Sequence, residues 1–302
     1  MGSIQDHRIR FFFEAVQRGS VRAAADFLNV APSAVSRHIS QLEAELASPL
    51  IERHRRGIRQ TEAGEQVIAY YRVHMAQQEL LMESIQALHG LQSGSISLAI
   101  GEGYIEDVSP VLSHFAEKYP SVELAVSICG SNDVLRQITE DEAHIGVVFN
   151  PARDPKIRSH ISVPHPLCAV VNHQHPLRSS GGEIEVNQLK DYRLALTEVS
   201  HGIRQIVAQA EDDLGIILTP SLICNNLSLL KSYACNGGVT LLPAFMASDF
   251  KDGLCFLPLH NDAFSSTRTH VVTRLGRQLS MGAGKLLKML QSEMKIFNTV
   301  NS

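Results

Sequence analysis

At 302 residues the chain is long enough for about two domains with sizeable cores. Its 44% hydrophobic and 19% charged residues are those of a soluble globular protein, which excludes a disordered or fibrous chain. The net charge of −4 would argue against nucleic acid if it were spread evenly, but residues 1–60 hold nine arginines, no lysine and six acids, a +3 segment that leaves −7 for the rest.

Taken in chain order, Ile4 to Arg18 reads as a first helix, with Ile9, Phe12, Phe13 and Val16 on one face and Phe27 and Leu28 as packing partners for the phenylalanines. Phe11-Phe12-Phe13 is too short an apolar run for a signal peptide and is flanked by Arg8, Arg10 and Glu14. No run approaches a transmembrane span, so a cytoplasmic protein with no membrane partner is expected.

Ser20 is a good N-cap for a short helix whose apolar face is Val21, Ala24, Ala25 and Leu28. Asn29-Val30-Ala31-Pro32 ends it, because proline suits the first turn of a new helix. In that next helix Val35, Ile39, Leu42 and Leu46 form the buried stripe, leaving Ser33, Ser36, Arg37, Ser40 and Gln41 on other faces. Two short helices, the second with a polar leading edge, form the helix-turn-helix pattern, whose second helix enters the major groove amino end first. Ala34 is small enough for close approach to bases, and Arg37 can bond guanine with both arms. An ordinary helical hairpin with a solvated face gives the same pattern, and the flanks decide between them.

Pro49-Leu50-Ile51-Glu52-Arg53 reads as a short strand, His54-Arg55-Arg56-Gly57 as a turn, and Ile58-Arg59-Gln60-Thr61 as the returning strand. That makes a winged helix-turn-helix, with Arg53, Arg55 and Arg56 placed for phosphates or a minor groove. Ser20-Val21-Arg22-Ala23-Ala24-Ala25, Val35-Ser36-Arg37-His38-Ile39, Leu42-Glu43, Pro49-Leu50-Ile51-Glu52-Arg53 and Thr61-Glu62-Ala63-Gly64 stand in register over about seventy residues, and together they resemble the LysR-type transcriptional regulators. Members often carry Gln-Pro where this chain has Pro32-Ser33, so the base-contacting amide of that pair is missing here.

Thr61 caps a long helix running to about Leu91, with acids in its first turn that favour the helix dipole. Counted in sevens, Val67, Tyr71, His74, Gln78, Leu81, Ile85 and Leu88 line one edge, a seam suited to a second copy with His74 and Gln78 fixing register. The resemblance makes this segment the linker helix through which subunits pair, as a homodimer or homotetramer.

After the short linker Gln92-Ser93-Gly94-Ser95 the pattern changes to strands at 96–100, 122–128 and 144–149 alternating with helices at 108–118 and 134–140, which predicts a parallel sheet with crossover helices. Strands at 167–171, 193–197, 221–224, 239–242 and 269–273 continue the alternation, and a helix from Ser280 to about Phe297 closes it. The resemblance implies an α/β effector domain of two Rossmann-like lobes, similar to a periplasmic solute-binding protein. The expected domains are then a winged helix-turn-helix over 1–60, a linker helix over 61–93 and an effector domain over 94–302, with lobe one at 94–163 and 267–302 and lobe two at 164–266. Where many members open the strand after the second helix with aspartate, this chain reads Asp141-Glu142-Ala143-His144, and no role carries over to that acid.

Enzyme signals are weak. Gly101-Glu102-Gly103 follows a strand but has Glu106 where a dinucleotide fingerprint needs its third glycine, and neither a Gly-x-Ser-x-Gly elbow nor a Walker loop occurs. His165, Cys168, His173 and His175 are close in sequence, but strand alternation points neighbours apart, so no metal and no cofactor is expected. Cys129, Cys168, Cys224, Cys235 and Cys255 form no Cys-x-x-Cys pair and read as buried free thiols. Cys224 with Cys235 could imitate the peroxide-sensing pair of some LysR-type relatives, but no basic neighbour marks either thiol as acidic.

Between two α/β lobes, ligands bind beyond the carboxyl ends of strands and against helix amino termini. Three loops stand there: Gly101, Glu102 and Gly103 in one, Ser131 and Asn132 in the second, Thr197, Ser200 and His201 in the third, with Phe149 as an apolar wall. Each polar residue would serve equally as a cap or turn former. The expected protein is therefore a regulator and not an enzyme. Its partners are double-stranded promoter DNA, a small-molecule effector for which family precedent favours carboxylates, further copies of itself, and RNA polymerase as a candidate. The competing reading is a small-molecule enzyme or solute-binding protein with an accessory helical head.

Overall fold

The computed structural model describes residues 6–54, 57–88, 94–180, 182–199, 201–249 and 253–298. By contacts the chain divides into two compact units, residues 1–82 and 83–302.

In the first unit, helices α1 (Asp6–Gln17), α2 (Val21–Leu28) and α3 (Pro32–Leu46) precede a hairpin of β1 (Ile51–His54) and β2 (Gly57–Gln60) and most of the long helix α4 (Glu62–Leu88), whose residues from 83 on are counted in the second unit. The local signals act as written in the sequence. The Ser20 hydroxyl accepts from the Ala23 amide at 3.1 Å, Asn29 ends α2 in the left-handed conformation (φ 54°), and Pro32 opens α3. Ile9, Phe12, Ala24, Val35, Ile39, Leu42 and Leu50 close into a core with almost no exposure. Gly57 (φ 131°) has no room for a Cβ, which would stand 2.3 Å from the Gly19 carbonyl, and this close approach lets the Ile58 amide bond that carbonyl at 3.0 Å. Phe27 does not join the core as the sequence predicts. It is 53% exposed, with the Arg18 guanidinium 3.3 Å above its ring centre.

Helix α4 is capped by Thr61, whose hydroxyl accepts from Gly64 N at 3.1 Å and donates to the Pro49 carbonyl at 2.7 Å. Its opening turns correct the predicted seam. Ile68 and Tyr71 are buried in the core of the first unit, with Val67 packed on it, so these positions serve the head. His74 faces Asp6 at 3.3 Å. Further along, Leu81 (59% exposed) and Ile85 (41%) present apolar side chains to solvent.

The second unit holds two five-stranded sheets. The first is built from β3 (Gly94–Ile100), β4 (Val122–Ile128), β5 (Ile145–Phe149), β6 (Ile157–Pro164) and β12 (Arg268–Arg274), in the order β4-β3-β5-β12-β6. It carries α5 (Ile105–Lys118), α6 (Ser131–Thr139), α10 (Met281–Glu293) and α11 (Lys295–Asn298). The second contains β7 (Leu167–Asn172), β8 (Leu194–Leu196), β9 (Leu222–Ile223), β10 (Val239–Pro243) and β11 (Leu254–Pro258), in the order β11-β7-β10-β8-β9, with α7 (Gly202–Leu214), α8 (Leu227–Cys235) and α9 (Asp262–Ser265).

Neither sheet is purely parallel, which corrects the expectation. The β3–β4, β3–β5, β8–β9 and β8–β10 pairs are parallel, whereas β12 runs antiparallel to β5 and β6, and β7 antiparallel to β10 and β11. The chain leaves the first sheet through β6 and returns as β12, slotted between β5 and β6, and this reversal sets the opposed direction. At the crossovers the His165 amide donates to the Thr267 carbonyl at 3.0 Å, and the Thr267 hydroxyl returns a bond to the His165 carbonyl at 2.7 Å. No helix among the described residues is long and apolar enough to cross a membrane.

Candidate DNA-reading surface and interlobe cleft

In α3 the buried residues Val35, Ile39 and Leu42 fix which way the helix faces, and Ser33 and Arg37 are consequently exposed, with Ala34 and Ser36 half-buried beside them. The N-cap Ala31 supplies no side-chain hydrogen bond, so the first-turn amides of α3 stand at its polar leading edge. The start of the wing is tied to α3, because one Glu43 oxygen accepts from the Leu50 amide at 2.8 Å and the Ile51 amide at 3.3 Å. Arg55 and Arg56 lie outside the described residues, as does the Arg53 side chain, whose backbone is in β1.

In the second unit a cavity of about 20 Å³ lies between the lobes, enough for roughly one water molecule. The structure brings Gly101, Glu102, Gly103, Ser131, Phe149 and His201 together on its wall. Two of the expected residues stand off this wall, which corrects the expectation. Asn132 is exposed and does not line the cavity, because one step along α6 turns it away from the inward-facing Ser131. Thr197 is 2% exposed, continues the fully buried β8, does not line the cavity, and its hydroxyl has no hydrogen-bond partner among the described residues. Ser200 lies outside the described residues.

Sequence reasoning missed the lining from β10 onward, Pro243, Phe245 and Met246, together with Cys129, Ile203 and Leu227. The strand-end rule that found the other loops also covers the turn after β10, so the signal was present. Phe245 stacks on Tyr104 with ring centres 4.8 Å apart and planes at 10°, and lies 5.0 Å from the His165 ring. Below this stack the Tyr104 hydroxyl meets the Thr269 hydroxyl at 3.0 Å, which in turn meets His165 Nδ1 at 2.8 Å. Burial lowers the His165 pKa to about 4, assisted by Arg268 and opposed by a backbone bond to Ile296, so the ring is neutral at pH 7. Burial also raises the Tyr104 pKa.

His201 caps α7, its Nδ1 accepting from the Ile203 amide at 3.4 Å, which requires that nitrogen to be unprotonated. Burial lowers its pKa against the opposing charges of Glu102 and Glu198. The lobes approach closely here. A Cβ on Gly202 would stand 3.0 Å from the Ser131 side chain, so a larger residue at the start of α7 would have to push Ser131 of α6 aside by a few tenths of an ångström.

The four candidate metal ligands are each engaged elsewhere. Besides His165, Cys168 donates to the Pro166 carbonyl at 3.9 Å, His173 meets the Gly253 carbonyl at 3.2 Å, and His175 accepts from the Leu177 amide at 3.3 Å. No group of three metal-binding side chains occurs among the described residues. All five cysteines are free, but only Cys168 is buried, and Cys235 is exposed, which corrects the expectation of buried thiols. Burial raises the thiol pKa of Cys129, and that of Cys168 to about 11.

A winged three-helix head and a two-lobed α/β unit with a cleft at its strand ends together define a ligand-responsive DNA-binding regulator. Residues 7–65 match the bacterial regulatory helix-turn-helix protein, lysR family, and residues 83–295 match the LysR substrate binding domain. The chain belongs to the LysR family of transcriptional regulators. It is 22% identical over 284 residues to a RuBisCO operon transcriptional regulator of Allochromatium vinosum, covering 93% of this chain and 94% of that one. In fold it is similar to a full-length OxyR from Pseudomonas aeruginosa, solved as a cysteine-substituted variant, with a TM-score of 0.67, 17% identity, and 98% and 96% of the two chains covered. Full-length CbnR in complex with its target DNA gives a TM-score of 0.51 at 17% identity, covering 96% and 99%.

Proposed function

We propose that this regulator reads promoter DNA through Ser33, Ala34, Ser36 and Arg37, steadies itself on phosphates or a minor groove through Arg53, Arg55 and Arg56, and changes its DNA binding when a small molecule enters the interlobe cleft. The observation that carries the reading is the solvent-facing leading edge of α3, where Arg37 is exposed while Val35 and Ile39 on either side of it are buried. An exposed arginine among small residues at a helix amino end suits bidentate contact with guanine. The functional divisions are 1–60 for DNA, 61–93 for pairing and 94–302 for the effector. Leu81 and Ile85, exposed on α4, support pairing with a second copy.

The cleft serves as a binding site and not as a catalytic one. Among its titratable residues, His201 is held neutral as a helix cap, which leaves its Nδ1 unavailable as a base, the Glu102 carboxylate is taken by the amides of Leu227 and Ser228, and burial raises the Cys129 thiol pKa. Gly101, Gly103, Ser131 and Phe149 offer a small, largely apolar effector site, and carboxylates are the favoured class. The working compartment is the cytoplasm, where the promoter lies.

A mobility-shift assay on the promoter region beside the protein's own coding sequence, joined to a thermal-shift screen of the full chain against a metabolite panel, tests both halves. A specific shift, and a metabolite that raises the melting temperature by mass action and alters that shift, are the expected results. Absence of specific DNA binding, combined with turnover of a panel compound, would favour the enzyme reading instead.

A further inference from the structure

Glu102 follows β3 in the first lobe, yet its carboxylate is committed to the second. One oxygen accepts from the Leu227 amide at 2.7 Å. The other accepts from the Ser228 amide at 3.1 Å, the Ser228 hydroxyl at 2.9 Å and the Asn226 side-chain amide at 3.1 Å. Leu227 and Ser228 are the first two residues of α8, and the next amide, Leu229, is taken by the Asn226 side chain at 2.8 Å. The opening turn of a helix in one lobe is thus satisfied by an acid from the other. Charge-assisted bonds to free first-turn amides are the strong kind, and the helix dipole adds to them.

The same line of contact narrows the cavity. Gly103, next to Glu102, would place a Cβ 3.2 Å from the Met246 sulfur, and Tyr104 lies flat under Phe245. With these contacts made, about 20 Å³ of water-sized space, room for roughly one water molecule, remains in a cavity that is partly open to solvent.

We propose that Glu102 is an intramolecular latch that holds the interlobe cleft shut by capping α8 across it, so that entry to the cleft requires its release. The latch is a statement about this chain alone; its role as a gate for the effector rests on the functional reading above. A ligand that favours the open arrangement must overcome the latch by its difference in affinity for the two arrangements, and a variant without the latch starts nearer to open.

The test needs no effector. Amide hydrogen exchange and N-ethylmaleimide labelling, mapped by mass spectrometry, are compared in the full chain for wild type, Glu102→Ala, Glu102→Gln and Ser228→Ala. Cys129 lines the cavity, while Cys168 is buried away from it and serves as the internal control. The expected result is about tenfold faster exchange at Leu227 and Ser228 in Glu102→Ala, with smaller increases in the other two variants. Labelling of Cys129 should also accelerate, while that of Cys168 and exchange in β5 stay unchanged. If the amides exchange faster but Cys129 does not, Glu102 is a helix cap without a closing role and the latch is overturned. Unchanged exchange at both amides overturns it outright. Should Glu102→Ala unfold the unit, Glu102→Gln and Ser228→Ala decide by the same criteria. An opened cleft that takes up no metabolite leaves the latch standing and counts against the effector reading.

Discussion

Replacing Glu43 by alanine should loosen the wing and destabilise the first unit together. The carboxylate accepts two amides, from Leu50 at 2.8 Å and Ile51 at 3.3 Å, where the chain leaves α3 for β1. Leu50 is fully buried, so its amide has no ready substitute in water when Glu43 is removed. The bond to Leu50 is short and charge-assisted and that to Ile51 is long, so the pair is worth about 2 kcal/mol. Glutamine keeps the acceptor without the charge and should cost about 1 kcal/mol. For a unit of this size a 2 kcal/mol loss lowers the melting temperature by roughly 8–16 °C. The chain has no tryptophan, so far-UV circular dichroism with urea titration is the suitable assay. The order wild type, Glu43→Gln, Glu43→Ala in falling stability is expected. A Glu43→Ala protein within about 0.5 kcal/mol of wild type would refute the reasoning, since that is the range of surface changes that touch nothing.

Leu81→Glu combined with Ile85→Glu places two acids on the exposed apolar stretch of α4, and light scattering should report loss of the paired state together with loss of operator binding. An unchanged oligomer would move assembly elsewhere. The folded-state pKa of His165, about 4, lies below the unfolded value, so its contribution is fully present above about pH 6.5 and is lost as pH falls from there towards 4, by up to about 3 kcal/mol. Urea midpoints measured between pH 7 and pH 4 should fall accordingly, and less steeply in His165→Asn; equal slopes would remove His165 from the explanation. Thr197→Val replaces a buried hydroxyl, unpartnered among the described residues, by a methyl of similar size and should be neutral or stabilising by about 1 kcal/mol, with any effector affinity retained. A loss of stability above that size would show that the hydroxyl has a partner in solution.

Much of the first unit is legible in the sequence because its signals are local. Ser20, Asn29, Pro32 and Thr61 each act within about four residues, and the structure places caps and breaks where they stand. The strand at 122–128 has its expected bounds, since its flanks carry clear turn chemistry. Strands β6 and β11 escape a sequence reading. Only Val163 of β6 is buried and no residue of β11 is, as suits sheet edges, so β6 in particular shows no apolar run. The reversed strand β12 is visible but not its direction, which depends on where two crossovers meet and not on composition. In the cleft, glycines and short polar residues after strands point to the wall, whereas the commitment of Glu102 to amides 125 residues away has no local signature. Phe27 misleads for the opposite reason: its size suggests core, while Arg18 holds it at the surface.

The most direct measurement compares Arg37→Ala with wild type on operator DNA and on random duplex at one fixed salt concentration. Arg37 is exposed on α3, so its truncation should leave the melting temperature unchanged. Specific affinity should fall by about 1–3 kcal/mol, roughly 5- to 150-fold, with relaxed preference at one position in each half-site and little change on random duplex. An equal loss on both duplexes, or none on either, would contradict base reading by α3.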